Sequence, residues 1–546
     1  MGISRRTVLA GAGATAAVLA TTPSAAAAVS PPGDVVGKVS VGYQGWFACP
    51  GDGAPIGGWW HWGRDRFQPP SPGNTTIVSW PDMRDFTRGY TTAYPNLGNG
   101  QPAQLFSSYD DQTVDTHFKW MQQYSIDTAA LQRFNPVGDE GPTRDAMAQK
   151  VRAAAERYAR KFYIMYDVTG WTSMQSEIKT DWTARMSAHT ASAAYARQNG
   201  KPVVCIWGFG FNDAGRPFVA AQCLDVVTWF KAQGCYVIGG VPTYWRQGIN
   251  DSRPGFSGVY HAFDMISPWM VGRTGDLAGL DWFYTNVNVP DQADCTASGI
   301  DYQPCVMPGD LSSGHRRHGD FYWRHLYNMV RVGAAGLYVS MFDEFNEGNQ
   351  IAKTSETQAT TPAGANIRAL DEDGTFCTSD YYLRITADGG RMLKGQLALT
   401  PTRPTQPNTG TPPPQVATYG FRSRANNLWV QAADAGASPL VARGAAMGAW
   451  EQFEMVNLSG GTIALRARVN GRFVCAENAG ANPLIANRAA AGGWETFRLI
   501  RNANGTVSLQ ATVNGRYVCA DSAGAAPLIA NRTAIGPWEQ FDLATQ

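Results

Sequence analysis

"GLYVSMFDEFNEG", residues 336–348, is the stretch on which the reading of this chain turns. From Gly336 to Phe342 every residue is apolar or small, and a run of that length reads as a buried strand. It gives way at once to Asp343, Glu344, Asn346 and Glu347. Carboxylates beside a core are costly unless they are paired or used in chemistry. A buried strand that ends in acids is the pattern of a barrel strand opening onto an active site.

Working outward, similar apolar runs occur at 41–47, 126–134, 162–167, 202–208, 235–241, 263–269 and 302–308. Helical patterns lie between them. Thr113–Ser125 carries Val114, Phe118 and Met121 on one face, and Arg144–Arg160 is rich in alanine. Phe218–Gln233 and Asp320–Val332 are amphipathic, and Tyr381–Lys394 closes the series. Strand–helix alternation over 33–398, with no Gly-rich phosphate loop after the first strand, predicts a (β/α)8 barrel rather than an open doubly wound sheet.

"LTPTRPTQPNTGTPPPQ" (399–415) holds six prolines and reads as a stiff, extended linker. Beyond it, 416–546 repeats three times. "NNLWVQAADAGASPLVARGAAMGAWEQF", "NGRFVCAENAGANPLIANRAAAGGWETF" and "NGRYVCADSAGAAPLIANRTAIGPWEQF" place Trp450, Trp494 and Trp538 at a spacing of 44 residues. Pro439, Pro483 and Pro527 keep the same period. Short alternating strands with Asn-Gly-type turns, three copies over, predict a β-trefoil with three equivalent surfaces, because one copy cannot bury its own apolar face.

The 546 residues carry a net charge of +1, so there is no basic field for nucleic acid and no polybasic segment for a membrane surface. Eighteen tryptophans among 59 glycines suit flat, weakly polar ligands such as sugar rings. Residues 1–28 read as a targeting segment: Ser4, Arg5, Arg6, Thr7, Val8 and Leu9 resemble a twin-arginine export signal, with Ala-rich cleavage candidates near Ala25–Ala28. The expectation is a bacterial protein exported already folded, extracellular and monomeric. The nine cysteines form no zinc pattern; Cys295 and Cys305 are the best disulfide candidate, and Cys205 and Cys235 read as buried thiols. His315 and His318 in "GHRRHGD" fit a substrate contact after strand 7 better than a metal site. No cofactor motif is present, and the GxSxG elbow of serine hydrolases is missing.

In such a barrel the strand ends build the site. In order they supply Tyr43, Gln44, Trp46 and Phe47, with His61 and Trp62 in the following loop; then Gln132 and Arg133; Tyr166 and Asp167; Trp207; Thr243, Tyr244, Trp245 and Arg246; Trp269; and Asp343, Glu344 and Glu347. Aromatic platforms beside a carboxylate cluster describe a carbohydrate cleft. Glu344 and Glu347 are the catalytic candidates, since two carboxyls in different surroundings can divide acid and base work at a glycosidic bond. Tyr43, Gln44, Trp46, His61, Trp62, Arg133, Tyr166, Asp167, Trp207, Tyr244, Trp245, Trp269 and Asp343 are the substrate-contact candidates. Two other readings remain open: a non-catalytic polysaccharide-binding protein, and a polysaccharide lyase using tyrosine and arginine of the cleft.

"FDEFNEG", with "GYQGWF", "HFKWMQQYSIDTAALQRF" and "FYIMYDVTGW", resembles the glycoside hydrolase family 99 and family 71/99-like proteins over most of residues 38–395. The trefoil resembles the fascin-like trefoils attached to secreted bacterial glycoside hydrolases and lacks the Gln-x-Trp pattern of ricin-type lectins. The first resemblance implies an endo-acting, retaining α-glycosidase. It implies that Glu344 deprotonates the substrate's own 2-hydroxyl, which attacks C1 to give a 1,2-anhydro sugar, and that Glu347 protonates the departing oxygen. Asp343 and Phe345 stand where the family's motif has Asn and Trp, and Tyr-Gln-Gly-Trp-Phe replaces Tyr-Tyr-Pro-Trp-Tyr on the first strand. The sugar and the linkage stay open.

Overall fold

The structure, a computed structural model, describes residues 30–408, 418–458 and 462–545. The expected export signal at 1–28 and the linker's end at 409–415 lie outside the described residues.

Eight parallel strands close a barrel: β1 Val39–Tyr43, β2 Thr128–Arg133, β3 Lys161–Asp167, β4 Lys201–Trp207, β5 Tyr236–Val241, β6 Met265–Pro268, β7 in two pieces at Asp301–Tyr302 and Cys305–Val306, and β8 Leu337–Val339. β1 pairs with both β2 and β8. The first piece of β7 pairs with β6 and the second with β8, which seals the ring. The break falls at Pro304, which has no N–H to give a ladder; its carbonyl still accepts from the Tyr338 N–H at 3.3 Å. The strands are almost wholly buried, as in a sheet covered on both faces.

The helical shell comprises α1 Asp111–Gln123, α2 Gly141–Arg157, α3 Met174–Asp181, α4 Ala220–Ala232, the single turn α5 Ser257–Tyr260, α6 Leu277–Phe283, α7 Val289–Ser298, α8 Asp320–Arg331 and α9 Tyr381–Leu393. The helices read from sequence correspond to α1, α2, α4, α8 and α9. The short ones, α3 and α5 to α7, bury too few residues each to show a period. Gly389 and Gly390 sit within α9, where glycine costs about 1 kcal/mol against alanine. The reason is close packing: a Cβ on Gly389 would lie 2.8 Å from Leu326 Cδ1, and one on Gly390 3.1 Å from Val39 Cγ2.

The described part of the proline-rich segment, residues 399–408, is tied to the barrel. Trp323 Nε1 donates to the Thr400 carbonyl at 3.1 Å, Arg403 Nε to Asp320 at 2.9 Å, and Thr405 Oγ1 to Asp388 at 2.6 Å. Residues up to 408 therefore belong to the outer wall formed by α8 and α9.

The all-β domain has twelve strands, from β9 Thr418–Ser423 to β20 Phe541–Thr545. Its first and last strands pair over five residues and close a six-stranded ring, with three hairpins beneath it. Phe421, Phe453, Leu465, Phe497, Leu509 and Phe541 fill its core. Asn426, Asn470 and Asn514 donate through Nδ2 to the carbonyls of Ala442, Ala486 and Ala530, one per repeat. The three surfaces are not equivalent, contrary to the sequence expectation. Arg488 pairs with Glu477 at 2.9 Å and Arg532 with Asp521 at 2.7 Å, whereas the first repeat has Ala433 and Gly444 at those places.

All nine cysteines are free, buried thiols. The expected Cys295–Cys305 bridge is absent: Cys295 on α7 has Asp291, Asp294 and Asp301 as its charged neighbours, while Cys305 on β7 lies by Tyr322 and Tyr338. Burial pushes the Cys305 thiol up to about 12. Among the described residues no helix is long and apolar enough to cross a membrane, and no group of His, Cys, Asp or Glu is arranged to hold a metal.

Two buried histidines make the barrel sensitive to acid. His117 on α1 shares a 3.0 Å hydrogen bond with the Tyr43 hydroxyl, and His325 on α8 accepts from the Met307 N–H at 3.2 Å. Burial lowers each to about 3. A base whose folded pKa is depressed stabilises fully above its unfolded value of about 6.5, and that stability is lost as pH falls from there toward the folded value. The melting temperature should therefore drop between pH 6.5 and 4, and less steeply in His117→Gln. Equal slopes in the two proteins would show that His117 does not contribute.

Candidate active site

The carboxyl ends of the strands open onto a pocket of roughly 620 Å³. Strand parity decides which side chains reach it, because successive residues on a strand point to opposite faces. On β2 and just beyond it, Gln132 and Phe134 face the pocket while Arg133 faces the helices. At the end of β3, Asp167 faces the pocket and Tyr166 the helices. Gln44 and Trp46 follow β1, Trp207 ends β4, Trp269 follows β6, and Ser340, Met341, Glu344 and Glu347 follow β8.

Glu344 is only 4% exposed. One of its oxygens, Oε2, accepts from Gln44 Nε2 at 2.8 Å, and the other, Oε1, has no partner. Burial, then the nearby carboxyls of Glu347 and Asp343, push Glu344 well above the usual carboxylate range, with the Gln44 amide opposing. Glu347 stands at the rim. Loss of water on its pocket side and the charge of Asp310 also raise it, against Asn349 Nδ2 donating at 3.3 Å. Asp343 is fully buried behind them. It accepts from the Gln44 and Gly45 N–H groups, both at 2.8 Å, and burial lifts it to about 6 despite those bonds.

Two aromatic walls flank the carboxyls. In the first, Trp46 stacks on His61 with centroids 3.7 Å apart, Phe134 lies 5.7 Å beyond, and the Arg144 guanidinium sits 4.9 Å from the Phe134 ring. Burial lowers His61, so its ring is neutral at pH 7. Burial alone would raise its neighbour Glu140, but His61 and Arg144 outweigh it and bring Glu140 to about 2. In the second wall, Trp207 meets Trp269 edge to face at 5.1 Å, and Arg216 covers the Trp207 ring at 4.4 Å. These walls follow β1–β2 and β4–β6, which lie across the barrel mouth from each other. Seven buried polar atoms of lining residues lack a hydrogen-bond partner among the described residues: Gln44 Oε1, Trp46 Nε1, Trp60 Nε1, His61 Nε2, Trp207 Nε1, Ser340 Oγ and Glu344 Oε1. Buried polar atoms without a partner are rare and call for an explanation.

Of the residues selected from sequence, Gln44, Trp46, His61, Asp167, Trp207, Trp269, Glu344 and Glu347 line the pocket. Others are built into the wall. Tyr43 packs on His117, and Trp62 donates to the Phe106 carbonyl at 2.9 Å. Arg133 donates to Asp181 at 2.6 and 2.5 Å, and the Tyr166 hydroxyl meets the same carboxylate at 2.9 Å. Trp245 donates to Asp291 at 3.0 Å, and Tyr244 packs with Phe283. Asp343 holds the backbone rather than facing the pocket. Neither His315 nor His318 lines it; His318 pairs with Asp373 at 2.8 Å. Sequence reasoning missed Trp60, Phe134, Glu140, Thr169 and Arg216 as lining residues. Parity along "LQRF" groups Gln132 with Phe134 but does not say which parity faces the pocket, and nothing in the sequence marks Glu140 or Arg216.

The likeness to solved structures is distant. The structure of the GH99 endo-alpha-mannosidase from Bacteroides thetaiotaomicron is similar at 14% identity and a TM-score of 0.48, over 66% of this chain and 98% of that one. The designed threefold-symmetric protein ThreeFoil is similar at 21% identity and a TM-score of 0.22, over 23% of this chain and 96% of its own. The BEL beta-trefoil is similar at 11% identity and 0.22, over 26% and 98%. No protein-family model matches the chain, and no curated protein does.

Proposed function

We propose that the chain is a secreted, endo-acting, retaining glycoside hydrolase that cleaves α-linked bonds in a polysaccharide, its trefoil binding glycan. The observation that carries this reading is the Glu344–Glu347 pair, one buried and one at the rim, in a pocket walled by tryptophans and edged with unpartnered polar atoms. Acid–base division needs two carboxyls in unlike surroundings. In the proposed reaction Glu344 takes the proton of the sugar's 2-hydroxyl and Glu347 protonates the leaving oxygen, the roles implied by the resemblance of "FDEFNEG". Export rests on the segment from Ser4 to Leu9.

The lyase reading has less support. Tyr166 and Arg133 are locked together on Asp181, and Arg216, the arginine of the lining, is already engaged by Asp213 and by Thr169 Oγ1 at 3.0 Å. Among the described residues of the lining a uronate would meet carboxylates and an arginine already paired.

Digestion of a polysaccharide panel, with proton NMR of the first-formed product, tests the proposal. The expected product keeps the substrate's anomeric configuration, because carboxyls on one short turn leave little room for an inverting water. An inverted anomer would sink the mechanism, and an unsaturated uronate would establish the lyase. The same digest with a chain ending at Asn408, which spares the residues tied to the barrel, should lose activity on insoluble polymer and keep it on soluble oligosaccharides. Equal losses on both would remove the trefoil's binding role.

A further inference from the structure

Burial and two neighbouring carboxyls raise Glu344 well above the usual carboxylate range, yet a base must give up its proton. The groups that face it are Asp343 and Glu347 on its own segment and Gln44 from the end of β1. Arg144 of α2 stands behind Asp343, with the His61–Glu140 pair beside it, and Asp167 and Arg216 face the same pocket. No cation among the described residues pairs with Glu344; Gln44 supplies the side-chain bond that it accepts, and the Asn346 N–H also favours its charged form, less than Gln44 does.

Gln44 is unusually well held. Its N–H and that of Gly45 donate to the two oxygens of Asp343, and its carbonyl accepts from Arg144 Nη1. Gly45 takes φ +54°, a turn that glycine allows, and a Cβ there would lie 3.0 Å from both Met147 and Tyr43. The main chain is therefore gripped on both its donor and acceptor sides, and the side chain has a fixed origin. From there Nε2 reaches Glu344 Oε2 at 2.8 Å, while Gln44 Oε1 and Glu344 Oε1 are buried without a hydrogen-bond partner among the described residues.

We propose that Gln44 is a positioning residue for Glu344: gripped by Asp343 and Arg144, it aims its amide at one carboxylate oxygen and leaves the other free for the substrate hydroxyl. A donor bonded to the charged form favours that form, so Gln44 draws the ionisation of the buried acid toward lower pH, against burial and its neighbours. This rests on the reading of Glu344 as the base, but the titration below reports on Gln44 without any substrate.

The test is a carbon-13 NMR titration of the full chain labelled at glutamate carboxyls, with the Glu344 signal assigned by its loss in Glu344→Gln. In Gln44→Leu the Glu344 titration should move to higher pH. On a substrate found by the panel, kcat at pH 5 should fall about tenfold, the low end of a bond to a charged group, and recover as pH rises toward 8. Gln44→Asn keeps an amide but shortens its reach and should behave like the leucine variant; it decides the matter if Gln44→Leu does not fold. An unmoved Glu344 titration in either folded variant overturns the proposal. A shifted titration with no glycan cleaved leaves the role of Gln44 standing and removes the glycosidase reading alone.

Discussion

Glu344→Gln and Glu347→Gln should each abolish measurable turnover while the chain stays folded. General acid–base groups contribute about 10²–10⁴-fold, and the loss is larger where a poor leaving group needs its proton. The amides keep the shape of the side chains and lose only proton transfer. The two variants should differ in stability. Burial and the carboxyls of Glu347 and Asp343 already disfavour a charge at Glu344, so a neutral amide suits the site and the melting temperature should hold or rise. Glu347 stands at the rim and its replacement should be neutral for stability. Rates within a few-fold of the unmodified protein, for either variant on a substrate it cleaves, would show that the pair is not the catalytic one.

The largest effect on stability should come from Asp181→Ala. Asp181 is 1% exposed at the end of α3 and receives Arg133 Nε and Nη2 together with the Tyr166 hydroxyl. Removing it leaves the buried Arg133 guanidinium with Asp145 alone. Breaking a buried ion pair from one side costs about 3–5 kcal/mol, whereas replacing both partners by apolar groups is often nearly neutral. The barrel's unfolding transition should shift far down in Asp181→Ala, and the double variant Arg133→Met/Asp181→Leu should recover much of it. A single variant that melts within a degree or two of the parent would mean that solvent already compensates the pair.

Those two residues also show where sequence reasoning on the site stopped. Arg133 and Tyr166 end their strands, as active-site residues do, but each lies one step from the residue that faces the pocket. A slip of one residue reverses a side chain's face. The ends of "LQRF" and "MYD" carry apolar or polar residues at both parities, so the pattern there does not choose. At β8 the choice was clearer, because acids after an apolar run have little place except at an opening. Glu140 and Arg216 reach the pocket from a helix start and a long loop, and no local period signals such an approach.

The order of the strands and of the five longest helices, the threefold repeat and the acidic end of β8 were determined by the sequence itself. Each is a local or periodic property: apolar runs of strand length, a period of 44 residues, charges at the end of a buried segment. Which aromatic rings became walls and which became core, which arginine was taken by Asp181, and that Gln44 meets Glu344 across 300 positions of sequence were decided by the tertiary structure alone. Closing the barrel sets β1 against β8 in one register, Val39 opposite Leu337, and only that register carries the Gln44 amide to the Glu344 carboxylate.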